Sequence, residues 1–348
     1  MFESKTVFVV GAGASEEAGL PIGSGLTQRI ASLINLKMEY GDLESGDPDI
    51  YNALIQQVNK APAQNRNTWL ASARSVAEAM DLALSIDTFL ESHATNEEYV
   101  LVGKLGIVRA IAIEERKSLL VPDYENGRPF QLKRLSNTWF YSLARQLFTG
   151  IPVEAPELAF QDVSFVVFNY DRCLQTFLIR ALEVYFRISL QRAEEIVKNI
   201  RILHPYGSLG SILPGLGQVP FAPRSLDILE AAARIKTFSE SAESGAVATA
   251  KSWVEESETL IFLGFGFHDQ NMELLDPGNT YLHDGNEPRS FRAFATAYEL
   301  SDSDAEIVRD QISYLRSGMP DDHAHQRIYT NNGKCVDLFR TYWRSLTR

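Results

Sequence analysis

The sequence predicts an α/β fold, a Rossmann-like parallel sheet with helices on both faces and a helical insertion subdomain. Two observations predict it. Short apolar runs that are typical of buried strands alternate with longer stretches of helical periodicity. The first of these runs, Thr6-Val7-Phe8-Val9-Val10, leads directly into the turn Gly11-Ala12-Gly13-Ala14-Ser15 and then into a helical pattern. Strands that alternate with helices are typical of parallel sheets.

The predicted elements follow from hydrophobic periodicity. Strands are expected at 6–10, 164–168, 200–203 and 259–263, where apolar and β-branched residues are continuous. Apolar residues three and four positions apart predict helices near 26–36, 172–187, 189–199 and 226–256. A stretch rich in Gly, Pro and Ser predicts a loop over 207–225. The tail carries patches at 290–299 and 303–316 that fit either strand or helix, and an amphipathic ending at 335–346.

The domain organisation is predicted from where the helical pattern interrupts the strands. Residues 1–39 and 161–290 would form the Rossmann-like core, and residues 40–160 a helical insertion, because helical spacing dominates from about 50 to 148. Residues 291–348 would form a C-terminal extension that packs on the core or on a neighbouring subunit.

Composition narrows the class of protein. The chain has 348 residues, of which 45% are hydrophobic, and a net charge of -12. Such an acidic chain lacks the charge that neutralises phosphates, so neither nucleic-acid nor membrane binding is expected. No apolar run reaches the roughly 18 residues of a membrane span, and nothing resembles a signal peptide. These observations predict a cytoplasmic protein.

No metal site is predicted. The two cysteines, Cys173 and Cys335, cannot build a four-cysteine zinc site and give no disulfide framework. His323 and His325 lie two positions apart, but no third ligand accompanies them.

Three polar clusters directly follow predicted strands: Asn169-Tyr170-Asp171, His204-Pro205-Tyr206-Gly207-Ser208 and Gly264-Phe265-Gly266-Phe267-His268-Asp269. In a parallel sheet the carboxyl ends of the strands share one edge, so these clusters and the glycine-rich turn should meet in one crevice. A strand, a glycine-rich turn and a helix N-terminus together can cradle a pyrophosphate. Plainer interpretations stay open, since the glycines also suit a tight turn and Asp171 also suits a helix N-cap.

In this order the motifs resemble the sirtuin superfamily, and most closely the sirtuin-like domains of bacterial antiphage defence proteins. The resemblance rests on Gly11-Ala12-Gly13-Ala14-Ser15 with Gly19-Leu20-Pro21, on Asn169-Tyr170-Asp171, on the His204 turn and on the late Gly264-Phe265-Gly266 segment. It spans about residues 5–275. The chain departs from sirtuin deacylases in two ways. It lacks four zinc-binding cysteines, and Ile22-Gly23 stands where those enzymes carry a Phe-Arg pair.

The resemblance implies an NAD+ hydrolase that needs no zinc and releases nicotinamide and ADP-ribose, with NAD as the substrate. Its catalytic residues would be Asn169, His204 and Asp171. Asn169 would position water or the ribose hydroxyls, His204 would act as general base and Asp171 would accept hydrogen bonds from the substrate. The residues expected to bind the substrate are Gly11, Ala12, Gly13 and Ser15 at the pyrophosphate, and Gly264, Phe265 and Gly266 at the adenosine.

The resemblance also implies a biological role, antiphage defence by NAD+ depletion, which kills the host if it is unregulated. Related subunits lead us to expect a homo-oligomer with a HerA-like ATPase as a possible partner. Two alternatives stay open. One is an NAD-dependent protein deacylase, against which the missing cysteines count. The other is a catalytically silent NAD or ADP-ribose binding module that acts as a sensor.

Overall fold

A computed structural model of the chain describes residues 2–60, 65–122, 130–278, 291–317 and 327–348. Within those residues it confirms the α/β fold, because six parallel strands form one sheet that helices flank. The strands of the chain are β1 (Thr6–Val10), β2 (Lys37–Glu39), β3 (Asp42–Ser45), β4 (Val163–Val167), β5 (Arg201–Leu203), β6 (Thr259–Leu263), β7 (Arg292–Thr296) and β8 (Ile328–Asn331).

The order of strands in the sheet is β5-β4-β1-β6-β7-β8. Counting only these strands along the chain, the order is 3-2-1-4-5-6, which is the order of dinucleotide-binding folds of the Rossmann type. All residues of β1, β4 and β6 are buried. Strands that are covered on both faces are continuous apolar runs, which is why sequence periodicity alone predicted these three.

Helices separate the six parallel strands along the chain. They are α1 (Ala12–Glu16), α2 (Gly23–Ile34), α3 (Pro48–Lys60), α4 (Arg66–Ala79), α5 (Ile86–Ser92), α6 (Glu97–Glu115), α7 (Trp139–Phe148), α8 (Cys173–Phe186), α9 (Leu190–Lys198), α10 (Ile228–Ala232), α11 (Phe238–Ala242), α12 (Gly245–Glu256), α13 (Asp269–Glu273), α14 (Asp302–Ser317) and α15 (Cys335–Thr341). Among the described residues, no helix is long and apolar enough to cross a membrane.

The chain divides into two compact units. The first holds the sheet and comprises Met1–Gly19, Leu119–Pro205 and Ser241–Arg348. The second comprises Leu20–Ser118 and Tyr206–Glu240, and its helices pack around α6. Most of α6 is buried, in keeping with its apolar residues on every face. The antiparallel pair β2–β3 also belongs to the second unit.

These units differ in extent from the domains that periodicity predicts. Residues 119–160 fall in the sheet unit, and residues 20–39 fall in the helical unit. Residues 291–348 supply β7, which pairs in parallel with β6, and β8, which pairs in parallel with β7. The sequence analysis did not predict β8 or the β2–β3 pair, because both are short and partly exposed and so lack a continuous apolar run.

One carboxylate of the sheet unit joins three segments. Glu17, at the end of α1, accepts hydrogen bonds from the main-chain nitrogen of Trp139 at 2.6 Å and from that of Val336 at 2.8 Å. These two nitrogens lie at the starts of α7 and α15, where main-chain N–H groups have no partner within the helix and the dipole favours an anion. The Glu17 carboxylate therefore holds the first loop against two helices from distant parts of the chain.

We expect Glu17→Ala to lower the free energy of unfolding by about 1–3 kcal/mol, because two N–H groups lose their charged acceptor. Urea denaturation of the purified chain measures this. Glu16→Ala is the matched control, since the Glu16 carboxylate makes an ion pair with Lys334 at 3.2 Å in which both side chains are more than a third exposed. Its loss should cost less than about 1 kcal/mol. Equal effects of the two substitutions would contradict the role given to Glu17.

Candidate functional site

The carboxyl ends of the three central strands lie at the same level. Val10 pairs in register with Val167 on one side and with Leu263 on the other. The ladder continues one step beyond the strands, because Gly11 donates its N–H to Leu263 at 2.9 Å and Phe168 donates to Val10 at 2.8 Å. The segments that follow β1, β4 and β6 therefore start side by side, as the parallel sheet predicts.

The loops after β1 and β6 meet backbone to backbone. Gly13 donates its N–H to the carbonyl of Gly264 at 2.9 Å. A Cβ on Gly11 would lie 2.4 Å from the Gly264 oxygen, and a Cβ on Gly264, whose φ is +55°, would lie 2.1 Å from the nitrogen of Ala14. The three glycines are thus required by the contact between the loops, and the Gly13 N–H already has an acceptor within the protein.

A short helix follows the first strand at once. α1 begins at Ala12, directly after Gly11, whereas periodicity predicted a helix only from about residue 26. Ala12 is exposed, and the side chain of Ser15 is buried. The carbonyl of Ala14 accepts a hydrogen bond at 2.8 Å from the indole nitrogen of Trp139, which is fully buried. The hydrogen bond from Trp139, the first residue of α7, therefore holds the turn in place.

Asn169 binds the glycine-rich turn with one end of its side chain. Its Nδ2 donates to the carbonyl of Gly11 at 2.9 Å and to the hydroxyl of Ser15 at 2.8 Å. The residue is only 6% exposed, and its Oδ1 has no hydrogen-bond partner in the described part of the chain. A buried carbonyl oxygen without a donor is uncommon in proteins and costs about 1–3 kcal/mol. This oxygen is the point of the site most suited to a hydrogen-bond donor from a ligand.

Hydrogen bonds to Asn169 and Gln175 hold His204 in one tautomer. Its Nδ1 lies 3.0 Å from the main-chain oxygen of Asn169. Since a carbonyl only accepts, Nδ1 carries the proton. The Nε2 of the Gln175 amide lies 2.7 Å from the Nε2 of His204 and donates to it, so the neutral ring accepts there.

The charges around His204 act in both directions on its ring. Burial lowers the pKa of His204 from its usual value, the carbonyl of Asn169 and the carboxylate of Asp171 raise it, and the guanidinium of Arg172 lowers it. Burial dominates, so the neutral imidazole, which is the form able to accept a proton, is favoured near neutral pH.

Asp171 is buried and lies two residues before the helix that follows β4. Its Oδ1 accepts the N–H of Cys173, the first residue of α8, at 3.0 Å. The N-cap of α8 is Arg172, so the sequence interpretation of Asp171 as the N-cap is off by one residue, and this bond closes a turn just before the helix. The carboxylate also acts electrostatically on His204, so the turn contact and a role in the site are compatible.

The loop after β6 packs its aromatic side chains inward. Phe265 is buried, and its ring lies 5.0 Å from that of Phe168 and 5.1 Å from that of Phe267. Phe267 adopts a φ of +51°, which is rare for a residue with a side chain. Gly266 is exposed beside them. The ring of Phe265 thus contributes to the core, which leaves the main chain of Gly264, Phe265 and Gly266 for the predicted contact with the adenosine.

Sequence reasoning missed two residues of this edge. Thr296, at the end of β7, accepts the N–H of Gly264 at 2.8 Å through its hydroxyl. Its position after a parallel strand was the available signal, but β7 was not distinguished from a helix. Gln175 lies in the first turn of α8, and no motif marks a glutamine at that place.

The structure describes no metal centre. In the part of the chain that it covers, no group of three or more His, Cys, Asp or Glu side chains could hold a metal ion. His323 and His325 lie outside the described residues. The helical unit has a cavity of about 670 Å³ between α3, α6 and α10, and none of the predicted site residues lines it.

Comparison with known proteins adds no relative. The chain matches no protein-family model, and a search of the curated proteins finds no match.

We expect Gly264→Ala to prevent stable folding or to cost more than about 3 kcal/mol, because a left-handed φ and a backbone clash act together. Thermal unfolding of the purified variant, or its recovery in the soluble fraction, measures this. Gly245→Ala is the control, since a Cβ there meets no atom within 4 Å. It should leave stability unchanged or raise it by about 0.4–1 kcal/mol. A Gly264→Ala protein as stable as the control would mean that the two loops are not in contact.

Proposed function

We propose that the chain is a sirtuin-like NAD+ hydrolase that converts NAD+ and water to nicotinamide, ADP-ribose and a proton. The observation that carries the proposal is the pairing of Asn169 with His204 beside the glycine-rich turn. The two residues follow neighbouring strands of the sheet, and the buried Oδ1 of Asn169 lacks a donor. Strand order supports a dinucleotide at this edge, because such ligands bind where the order reverses, here beside β1.

The residues present fit a ribose and an attacking water. A hydroxyl group or a water can donate to Asn169 Oδ1, which satisfies the unpaired acceptor. His204 in its neutral form can accept a proton at Nε2, the one ring nitrogen that carries a lone pair. In the reaction the bond between nicotinamide and C1′ of the ribose breaks, the oxygen of water forms a bond to C1′, and the proton from water passes to a base. We assign that base to His204.

The remaining contacts of NAD+ stay predictions. Ala12 and Ser15 lie where the pyrophosphate would approach the start of α1, and Gly264 and Gly266 lie on the neighbouring loop. The hydroxyl of Ser15 accepts from Asn169, which links the expected pyrophosphate site to the expected catalytic site. The N–H of Gly13 would have to leave Gly264 before it could bind a phosphate.

A non-catalytic NAD or ADP-ribose binding module is the second candidate. One observation favours it, namely that the Nε2 of His204 is already bonded to Gln175 and so is not available as a base in this arrangement. Protein deacylation is not proposed, because Cys173 and Cys335 are both buried within helices and cannot form the expected zinc module.

The biological part of the proposal follows the sequence resemblance. The protein would act in the cytoplasm in antiphage defence by depleting NAD+, as a homo-oligomer and with a HerA-like ATPase as its possible regulator. The net charge of -12 fits a protein that does not bind nucleic acid directly.

We expect the purified chain, alone or with the ATPase of a neighbouring gene, to release nicotinamide and ADP-ribose in equal amounts from NAD+. Chromatography measures both products. His204→Ala should lower the rate by about 10²–10⁴-fold, the usual contribution of a general base. Asn169→Ala should lower it by about 10²-fold through mispositioning.

Gln191→Ala is the control, because Gln191 is exposed on α9, away from the strand ends, and its amide makes only a 3.4 Å contact with Glu195 among the residues described. It should keep wild-type activity. If NAD+ raises the melting temperature of the wild type but no nicotinamide appears under either condition, the binding module replaces the hydrolase. If NAD+ neither binds nor reacts, both candidates are wrong.

The pH dependence of kcat/KM gives a separate prediction. A base must be neutral to accept a proton, and burial lowers the pKa of His204 below the usual value of about 6.5. Activity should therefore persist below pH 6.5 and fall only as the pH drops through the lowered pKa. Initial rates from pH 4.5 to 8 measure this limb. A limb above about pH 6.5 would contradict the assignment of His204.

A further inference from the structure

We propose that Gln175 is a positioning residue whose amide occupies the Nε2 of His204. The Gln175 amide must move away before His204 can accept a proton from water or a substrate hydroxyl. This inference rests on the proposed function for its effect on rate. The contact between the two side chains is present in the structure independently of that function.

The geometry leaves His204 one basic atom, and Gln175 occupies it. Nδ1 donates its proton in a hydrogen bond to the main-chain oxygen of Asn169 at 3.0 Å. Loss of that proton would break the bond, so Nδ1 is not available as the basic atom. At 2.7 Å, Gln175 Nε2 lies well within hydrogen-bond range of His204 Nε2. An imidazole nitrogen has a single lone pair in the ring plane, so a substrate proton and the Gln175 amide compete for the same position.

The other end of the Gln175 amide shows that this arrangement is incomplete. Its Oε1 is buried and has no hydrogen-bond partner in the described part of the chain, as is also true of Asn169 Oδ1. Gln175 bonds to His204 through its amide nitrogen and Asn169 through its main-chain oxygen, so two residues that contact one imidazole each carry a buried side-chain oxygen without a donor. A molecule that brings hydroxyl donors, such as a ribose or water, would satisfy these oxygens and offset the loss of the Gln175 bond to Nε2.

Two substitutions of similar length separate the donor from the rest of the side chain. Gln175→Met removes the amide and leaves Nε2 open. Gln175→Glu replaces the donor with a carboxylate, which accepts from a protonated Nε2 and so stabilises the imidazolium, in addition to Asp171 and against Arg172. Glu183→Gln is the control, because Glu183 lies on the same helix and, among the described residues, its ion pair is with Arg180 at 2.8 Å.

The first measurement does not require activity. Imidazole ¹⁵N chemical shifts and a pH titration of His204 should report the Nδ1–H tautomer in the wild type, a higher pKa in Gln175→Glu and a changed Nε2 shift in Gln175→Met. The Glu183→Gln protein should match the wild type. Unchanged shifts and an unchanged pKa in both Gln175 variants would overturn the inference, whatever the activity.

The second measurement is the pH profile of NAD+ hydrolysis. Gln175→Met should raise kcat/KM by about three- to tenfold, the equivalent of one neutral hydrogen bond. Gln175→Glu should lower it about tenfold at neutral pH and move the acid limb to higher pH. A Gln175→Met protein slower than wild type, with its His204 resonances intact, would also overturn the inference. Shifted His204 resonances with no hydrolysis in any variant would instead refute the proposed hydrolase and leave the contact established.

Discussion

The close contact between the loops after β1 and β6 is the constraint on which the rest of the site depends. Gly11, Gly13 and Gly264 let two backbones approach to a distance that a single Cβ would prevent. The contact fixes the direction in which the chain leaves β1, and so places Ser15 and the carbonyl of Gly11 where Asn169 binds them. Without it, the ends of the three central strands would still be level, but the turns that follow them would not be held together.

Sequence reasoning predicted the three strands that are buried on both faces and also the partly exposed edge strand β5. The runs at 6–10 and 259–263 are strands over the predicted residues, and the strand predicted at 164–168 occupies Val163–Val167. The convergence of Gly11, Asn169, His204 and Gly264 followed from the single rule that parallel strands end at one edge. The edge strand β8 was not predictable in this way, because it has only four residues and Ile328 alone among them is buried.

The glycine-rich turn shows why a motif and its usual chemistry must be argued separately. A dinucleotide fingerprint predicts glycines for close approach to a pyrophosphate. In this chain the atoms that would clash with a side chain at Gly11, Gly13 and Gly264 belong to the protein itself. The glycines therefore support the fold whether or not a nucleotide binds, and the residues that indicate chemistry at this site are Asn169 and His204. There the unpaired Oδ1 of Asn169 has no comparable structural explanation.

The hydrogen bonds of the site serve stability and function together. Asn169 holds the glycine-rich turn with its Nδ2, orients His204 with its main-chain oxygen and keeps a buried Oδ1 without a donor in the described part of the chain. Such sharing gives a preorganised site, because the groups that would face a ligand are fixed before it arrives. It also joins residues that are distant in sequence, since Gly11 and His204 lie in two different segments of the first unit, Met1–Gly19 and Leu119–Pro205. A ligand that donates a hydrogen bond to Oδ1 would therefore stabilise the loop contact and the orientation of the imidazole at once. Binding at the carboxyl ends of the strands would in this way be coupled to the order of the loops that follow β1 and β6.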